Sequence, residues 1–448
     1  MNKKFNKHFI YYPVATIKGF NINSYLKMLL KSQYFSPDVI KNNQLIKLNN
    51  IIQYSKKHVP YYSTYLNNIE ETNINKFRDL NSIPFLTKSI LKKYPSSVRS
   101  NNKYFMLTKK TTAGSTGEPF TLWKSTSAMA QELAASWRGY SWAGVEIGDR
   151  QGRFWGVPLK KIDHLKSKII DLVANRVRCS AFSFDIKIFN EYTKKLTDFN
   201  PDFFYGYASM LVQYANYFLE ANIVSPFELK CIITTSEILT VSDRKILENV
   251  FKTKIFNEYG SAEVGTIAHE CSYGSLHVSA ENMIVEIIDN DRICRPGELG
   301  EIVVTELNNY AMPLIRYKTG DLGSLSLKKC KCGVNLPIIE KLEGRTWDMI
   351  IRKDGKKFHP AFFLYIFENA KDKNLGISHY KIYQKDYHKF KILIVPDSNY
   401  NQKSEQFITE EIRNGFDENS LIDFELVGSI KREISGKLRQ VVGMNELS

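Results

Sequence analysis

Between residues 153 and 254, short apolar segments alternate with longer amphipathic ones, and this alternation constrains the fold more than any other feature of the chain. Phe203–Tyr205 precedes the amphipathic run Met210–Glu220, and Cys231–Thr234 precedes Ser242–Val250. Strand-length runs separated by helix-length ones predict α/β layering around a largely parallel sheet. The pattern then changes. Met283–Ile288 and Glu301–Glu306, with turn residues at Asn290-Asp291 and Pro296-Gly297, predict antiparallel pairing. After Gly344-Arg345, strands (Lys381–Tyr383, Lys391–Val395) alternate with helices (Phe362–Asn369, Glu405–Asn414), enough for a small α+β domain behind a short hinge. The first hundred residues read as polar helices, and Ala128–Tyr140 as a further helix.

With 43% hydrophobic and 24% charged residues, the chain has the composition of a globular protein and not of a disordered one. No run approaches the roughly 20 apolar residues that cross a bilayer, so no integral membrane segment is expected. Met1–His8 is basic, but Phe9–Ile17 is short and carries Pro13, unlike a secretory leader. Six cysteines at this length do not read as a disulfide scaffold, and the expected location is cytoplasmic. The net charge of +15 suits nucleic acid, an anionic surface or phosphate-bearing ligands. Nucleic acid is the poorest of these, because the aromatics fall in apolar runs such as Phe203-Phe204-Tyr205 and Phe362-Phe363, where core packing explains them.

Several short motifs carry chemistry. Lys109–Pro119 is a loop rich in Thr, Ser and Gly, and Thr112, Gly114, Ser115, Thr116 and Gly117 offer hydroxyls and backbone N–H groups to phosphate oxygens. It reads equally as a flexible turn, and it lacks the Gly-Lys-Ser/Thr of a Walker loop. Asn257–Glu263 follows the strand Lys254–Phe256, where α/β folds place ligands. There Tyr259 could stack on a base, Gly260 allows close backbone approach, and Glu263 offers hard oxygens to Mg²⁺. Ser236 and Glu237 end another strand and could line the same cleft. Asp321 is suited to accept hydrogen bonds from two ribose hydroxyls. Arg345 lies in a second Gly/Arg/Asp group, and Lys437 lies on a glycine-flanked loop.

Cys330-x-Cys332, followed by Gly333, has the form of half a zinc knuckle, and Cys271 with His277 supplies the other half. Two thiolates one residue apart, with a Cys and a His brought near by the fold, would complete a closed structural Zn²⁺ site; the other reading is free thiols with an unrelated histidine. His269 is an alternative fourth ligand.

In order, Thr112–Pro119, Glu237, Tyr259-Gly260-x-x-Glu263, Tyr317-x-Thr319-Gly320-Asp321, Gly344-Arg345 and Gly436-Lys437 resemble the adenylate-forming superfamily of acyl-CoA synthetases. The chain looks most like its phenylacetate–CoA ligase and CapK capsular polysaccharide branch, to which Arg138–Gly144 and Pro201–Ser209 also conform. The resemblance implies an α/β fold: a large N-terminal domain with a β-barrel-like portion, residues 1–346, and a small mobile α+β domain, residues 347–448. It implies ATP-dependent activation of a carboxylic acid to an acyl-adenylate, then transfer to coenzyme A or another thiol, amine or hydroxyl acceptor. Thr112, Gly114, Ser115, Thr116 and Gly117 would cradle the phosphates, Tyr259 would flank adenine, and Asp321 with Arg345 would bind ribose. Glu263 would hold Mg²⁺, and Lys437, Glu263 and Thr116 would form the catalytic set.

Two of the motifs depart from the family pattern. Phe120 replaces a basic residue after the loop proline, and Glu118 adds a negative charge, so Lys124 or Lys437 would supply the missing positive one. Trp347 falls where the hinge aspartate is expected. The resemblance places this activity in capsular or other surface polysaccharide biosynthesis, and the departures lend some weight to a second reading, a catalytically inactive adenylate-fold protein that binds or scaffolds in that pathway. The motifs leave the oligomeric state open.

Overall fold

The computed structural model describes residues 1–66, 77–104, 106–111, 121–155, 161–180, 186–345, 350–355, 357–358, 361–431 and 438–444, with the backbone alone at 78, 111, 161–166, 344–345, 357, 361, 364–365 and 368. The N-terminal region is helical. The helix Pro37–His58 starts at Ser36, whose side chain accepts from the Val39 N–H, with Pro37 in the first turn where its missing N–H is harmless. Its buried face (Ile40, Leu48, Ile52) joins the core beneath the antiparallel strands, which includes Ile284, Ile302 and Val304. The helix Thr126–Trp142 is alanine-rich where Ala130, Ala134 and Ala135 meet Ile22 and Leu29 of the N-terminal helices, so the backbones approach closely.

Leu107–Thr111 (β1) and Thr121–Ser125 (β2) form an antiparallel hairpin with Thr111 opposite Thr121. Lys109–Thr111, expected in a loop, are therefore strand residues, because β2 supplies their ladder partners.

The centre of the molecule is one twelve-stranded sheet. Its strands are Gln151–Trp155 (β3), Arg176–Ser180 (β4), Phe203–Tyr207 (β5), Cys231–Thr235 (β6), Ile255–Ser261 (β7), Gly265–Glu270 (β8), Leu276–Val278 (β9), Met283–Asp289 (β10), Arg292–Ile293 (β11), Gly300–Glu306 (β12), Tyr317–Ser326 (β13) and Ile338–Arg345 (β14). The order is β11-β10-β12-β13-β14-β9-β8-β7-β6-β5-β3-β4. Strands β3 to β7 pair in parallel, as their alternation with helices predicts, and antiparallel pairing begins between β7 and β8. Side chains alternate across the parallel half. Phe204 and Ile232 pack against the helices Ala208–Glu220 and Val241–Phe251, whereas Phe203, Tyr205, Ile233 and Phe256 face Tyr140 of the helix Thr126–Trp142 and Ala143 just after it. The barrel-like portion is an open continuation of this sheet: among the described residues no pairing closes it into a ring.

The last hundred residues form a smaller α+β domain. The short strands Ile350–Ile351 (β15) and Lys357–Phe358 (β16) precede a four-stranded sheet of Ile377–Asp386 (β17), Lys389–Pro396 (β18), Leu421–Leu426 (β19) and Val441–Val442 (β20), ordered β19-β18-β17-β20. The helices Ala361–Asp372 and Gln402–Gly415 cover it, and Phe363, Phe367, Ile392, Ile408 and Ile412 form its core. Among the described residues no helix is long and apolar enough to cross a membrane.

Candidate active site

The sheet changes direction at β7, and there it gathers residues that are distant in sequence. Asn257–Ser261, expected in a loop, continue β7, because β6 pairs with its first part on one side and β8 pairs from Glu258 onward on the other. Tyr259 is buried, and its hydroxyl donates to Asp321 Oδ2 at 2.8 Å across 62 positions of sequence. The Asp321 N–H donates to Thr319 Oγ1 at 3.1 Å, and Asp321 lies opposite Arg345 on β14. Gly260 is required by the close approach of β8, since an added Cβ would stand 2.7 Å from the Gly265 carbonyl oxygen. Glu263 lies in the turn after β7, buried, with one oxygen 4.0 Å from Lys88 Nζ. Arg316, the residue before Tyr317, is structural: its guanidinium makes a buried two-pronged pair with Glu286, at 3.2 and 3.0 Å.

At the end of β6, Ser236 adopts φ +69°, a left-handed conformation that a non-glycine residue enters at some strain. The next residue, Glu237, links the two domains. Its Oε2 accepts the Ser209 N–H at 2.9 Å and the Ser209 hydroxyl at 2.6 Å, and its Oε1 accepts the Leu438 N–H at 2.7 Å. Two further contacts join the domains: Gln213 with His379 at 2.8 Å, and Lys371 with Asp243 at 3.5 Å.

The expected phosphate-loop residues Thr112, Gly114, Ser115, Thr116 and Gly117 lie outside the described residues, as do Glu118, Phe120, Trp347 and Lys437. The strands carrying that loop are described. Lys110 Nζ and Lys124 Nζ each lie 2.7 Å from an oxygen of Glu132, and Lys124 Nζ is also 2.7 Å from Glu306 Oε1. Lys124 is 1% exposed, so it is not free to offer charge to a phosphate, contrary to expectation. Burial works against the Glu132 anion, yet Lys124 and Lys110 outweigh it and hold the carboxyl at about 2. Burial prevails at Glu306, which sits above the usual carboxylate range. Gly265, at φ +86°, leaves room for this carboxylate: a Cβ there would lie 2.4 Å from Glu132 Cδ.

Beneath the helix Thr126–Trp142 lies a second polar group. The Tyr205 hydroxyl donates to Glu258 Oε1 at 3.2 Å, and His269 Nε2 stands 3.5 Å from Glu258 Oε2. The Arg153 guanidinium lies over Trp155 and Tyr205, at 4.7 and 4.6 Å from the ring centroids. Gly139 lets the helix settle on His269, since a Cβ would stand 2.4 Å from that ring. Arg138, beside it, pairs with both oxygens of Glu281 at 2.8 Å.

The expected metal ligands do meet. One donor atom from each of Cys271, His277, Cys330 and Cys332 lies within 4.8 Å of every other. Pairing of β14 with β9, which sets Ile338 opposite His277, brings the two halves together. Cys271 Sγ and Cys330 Sγ are 3.6 Å apart, near the roughly 3.7 Å between sulfurs each about 2.3 Å from one tetrahedral ion. Cys332 Sγ lies 3.3 Å from His277 Nε2, and His277 Nδ1 is 3.2 Å from the Leu336 carbonyl, which fixes the ring for coordination through Nε2. The donor set fits Zn²⁺. His269 faces Glu258 and is not part of it.

Sequence reasoning missed Glu132, Arg153 and Glu258. A usable signal existed for the first, as Glu132 is the sole acid in its helix. For Arg153 and Glu258 no spacing rule points to the contact, which arises only when β3, β5 and β7 align.

Comparison with known proteins agrees with this geometry. Residues 350–444 match the family described as the CapK C-terminal domain. Protein CapK of Staphylococcus aureus is 28% identical over 294 residues, 62% of this chain and 63% of CapK, so the match spans less than two thirds of that protein. Phenylacetate-coenzyme A ligase of Thermus thermophilus is 25% identical over 330 residues, 70% of this chain and 72% of that one. The fold matches 2-hydroxyisobutyryl-CoA ligase in its postadenylation state with R3-HIB-AMP at TM-score 0.75 and 17% identity, covering 93% and 92% of the two chains. The same ligase in its thioesterification state matches at 0.57, covering 92% and 91%. The chain thus has the fold of an acyl-CoA ligase that forms an acyl-adenylate. In sequence it is similar to CapK and to the phenylacetate–coenzyme A ligases, at moderate identity.

Proposed function

We propose that the chain activates a carboxylic acid with ATP and transfers the acyl group to coenzyme A or another nucleophile, in the making of a capsular or other surface polysaccharide. The observation that carries this reading is the Tyr259–Asp321 hydrogen bond at the carboxyl edge of the sheet, with Glu263 four residues beyond Tyr259. In the proposed site, Tyr259 and Gly260 flank the adenine, Asp321 and Arg345 hold the ribose, and Thr112, Gly114, Ser115, Thr116 and Gly117 wrap the phosphates. Ser236 and Glu237 border the acid. A carboxylate oxygen of the acid attacks the α-phosphorus, the bond from that phosphorus to the bridging oxygen breaks, and pyrophosphate leaves. Lys437 offsets the charge that develops, and Thr116 donates to the departing phosphates. Mg²⁺ held by Glu263 would supply further neutralisation of phosphate charge.

The domains divide at residues 346/347 in this reading, and the small one rotates between the two half-reactions. Its support is the bond from the Leu438 N–H to Glu237, which seats the chain next to Lys437 against the ends of β5 and β6. The higher similarity to the postadenylation arrangement is in keeping with an adenylating pose. Cys271, His277, Cys330 and Cys332 hold a structural Zn²⁺, and use of ATP together with unpaired thiols favours the cytoplasm. Mass spectrometry of products tests the proposal: ATP with a panel of acids yields AMP and, with coenzyme A added, an acyl thioester. ATP binding with no AMP from any acid would instead support a non-catalytic binding protein.

A further inference from the structure

Three buried polar atoms on the sheet face beneath the helix Thr126–Trp142 have no hydrogen-bond partner among the described residues: Arg153 Nε, Glu258 Oε2 and His269 Nε2. Tyr205 ties them into one group, with its ring 4.6 Å from the Arg153 guanidinium and its hydroxyl bonded to Glu258 Oε1. The 3.5 Å between His269 Nε2 and Glu258 Oε2 is an electrostatic contact, longer than a good hydrogen bond. Leaving such atoms buried and unsatisfied is unfavourable, and native proteins rarely do so without a functional reason. The position supplies one. Glu258 is the residue before Tyr259 in β7, and Tyr205 is two residues before Tyr207, after which the helix bearing Ser209 begins. Glu258 therefore lies at the carboxyl edge of the parallel strands, on the face opposite Tyr259, with Arg153 and Tyr205 on that same face one side-chain pair further in.

We propose that Arg153, Tyr205 and Glu258 form the acid-recognition subsite of the ligase reaction, on which reading this inference rests, and that the subsite takes an acid bearing hydroxyl groups. A carboxylate can only accept hydrogen bonds and a guanidinium can only donate them, so a single group that satisfies both must do both. A hydroxyl group does. A second carboxylate would answer Arg153 but face the charge of Glu258, an ammonium group would answer Glu258 but not Arg153, and a phenyl ring would answer neither.

The test is acid-dependent ATP–pyrophosphate exchange with matched pairs: butyrate and 3-hydroxybutyrate, phenylacetate and mandelate, with gluconate and glutarate beside them. The hydroxylated member of each pair is expected to be preferred in kcat/KM on the order of 10²-fold, as when a site built for a hydroxyl meets an analogue lacking it. Glu258→Gln and Arg153→Met each bring that preference down towards unity and leave the KM for ATP unchanged, which also shows that the variants fold. Butyrate or phenylacetate used as well as its hydroxylated counterpart overturns the subsite and leaves the ligase reading standing. A preference that survives both substitutions overturns it too. No exchange with any acid overturns both.

Discussion

Lys124 Nζ lies 2.7 Å from Glu132 Oε2, fully buried on the hairpin whose strands flank the expected phosphate loop in sequence. With Lys110 on the same carboxylate and Gly265 beneath it, this contact fastens the hairpin to the β7–β8 turn region that carries Glu263. The strands that flank the proposed phosphate loop in sequence and the start of β8, just after Glu263, thus meet at one carboxylate.

Removing that carboxylate leaves two lysines without it. Glu132→Ala is expected to destabilise the fold by about 3–5 kcal/mol, the usual consequence of breaking a buried ion pair from one side. Denaturant unfolding against wild type measures it, and a loss below about 1 kcal/mol would show that the cluster is not a clamp.

The same residue gives stability a pH dependence of known sign. The Glu132 carboxyl is held at about 2 in the fold against 4.5 ordinarily. Its contribution is therefore complete above about pH 4.5 and disappears as pH falls through about 2, on the order of 3 kcal/mol in all. Glu132→Gln should lose stability less steeply than wild type on acidification below about pH 5, measured as the unfolding midpoint. Parallel curves would contradict the assignment.

Tyr259→Phe deletes the hydrogen bond to the Asp321 carboxylate. A hydrogen bond to a charged group contributes about 1.5–3 kcal/mol, so the KM for ATP should rise about tenfold or more with kcat nearly unchanged. A fall in kcat at constant KM would mean that Asp321 acts elsewhere than at the nucleotide.

Metal removal gives a further check. Protein purified without added metal should carry close to one Zn²⁺ per chain by plasma mass spectrometry, and strong chelation or Cys332→Ser should lower the melting temperature by several degrees. Metal content near zero, with melting unmoved by chelation, would leave the four donors as a thiol cluster only.

Much of this arrangement is legible in the amino-acid sequence. The strand and helix alternation of residues 203–250 gives the parallel sheet, because burial on both faces requires it. The metal ligands are equally readable, since Cys330-x-Cys332 fixes two donors locally and only one strand pairing is needed to add the rest. What sequence could not supply is which charges neutralise one another inside. Lys124 looks like a free cation beside a phosphate loop until Glu306, from a strand far along the chain, is seen to complete its pairing. Arg153 and Glu258 likewise belong to different strands and acquire meaning only through Tyr205, which touches both.

The central claim is tested most directly by acid-dependent ATP–pyrophosphate exchange in wild type and Lys437→Ala. The account predicts exchange that requires the acid and falls by at least about 10²-fold when Lys437 loses its charge, as removal of a group stabilising developing charge would produce. Exchange that persists unaltered in Lys437→Ala, or that is absent from wild type with every acid offered, would contradict it.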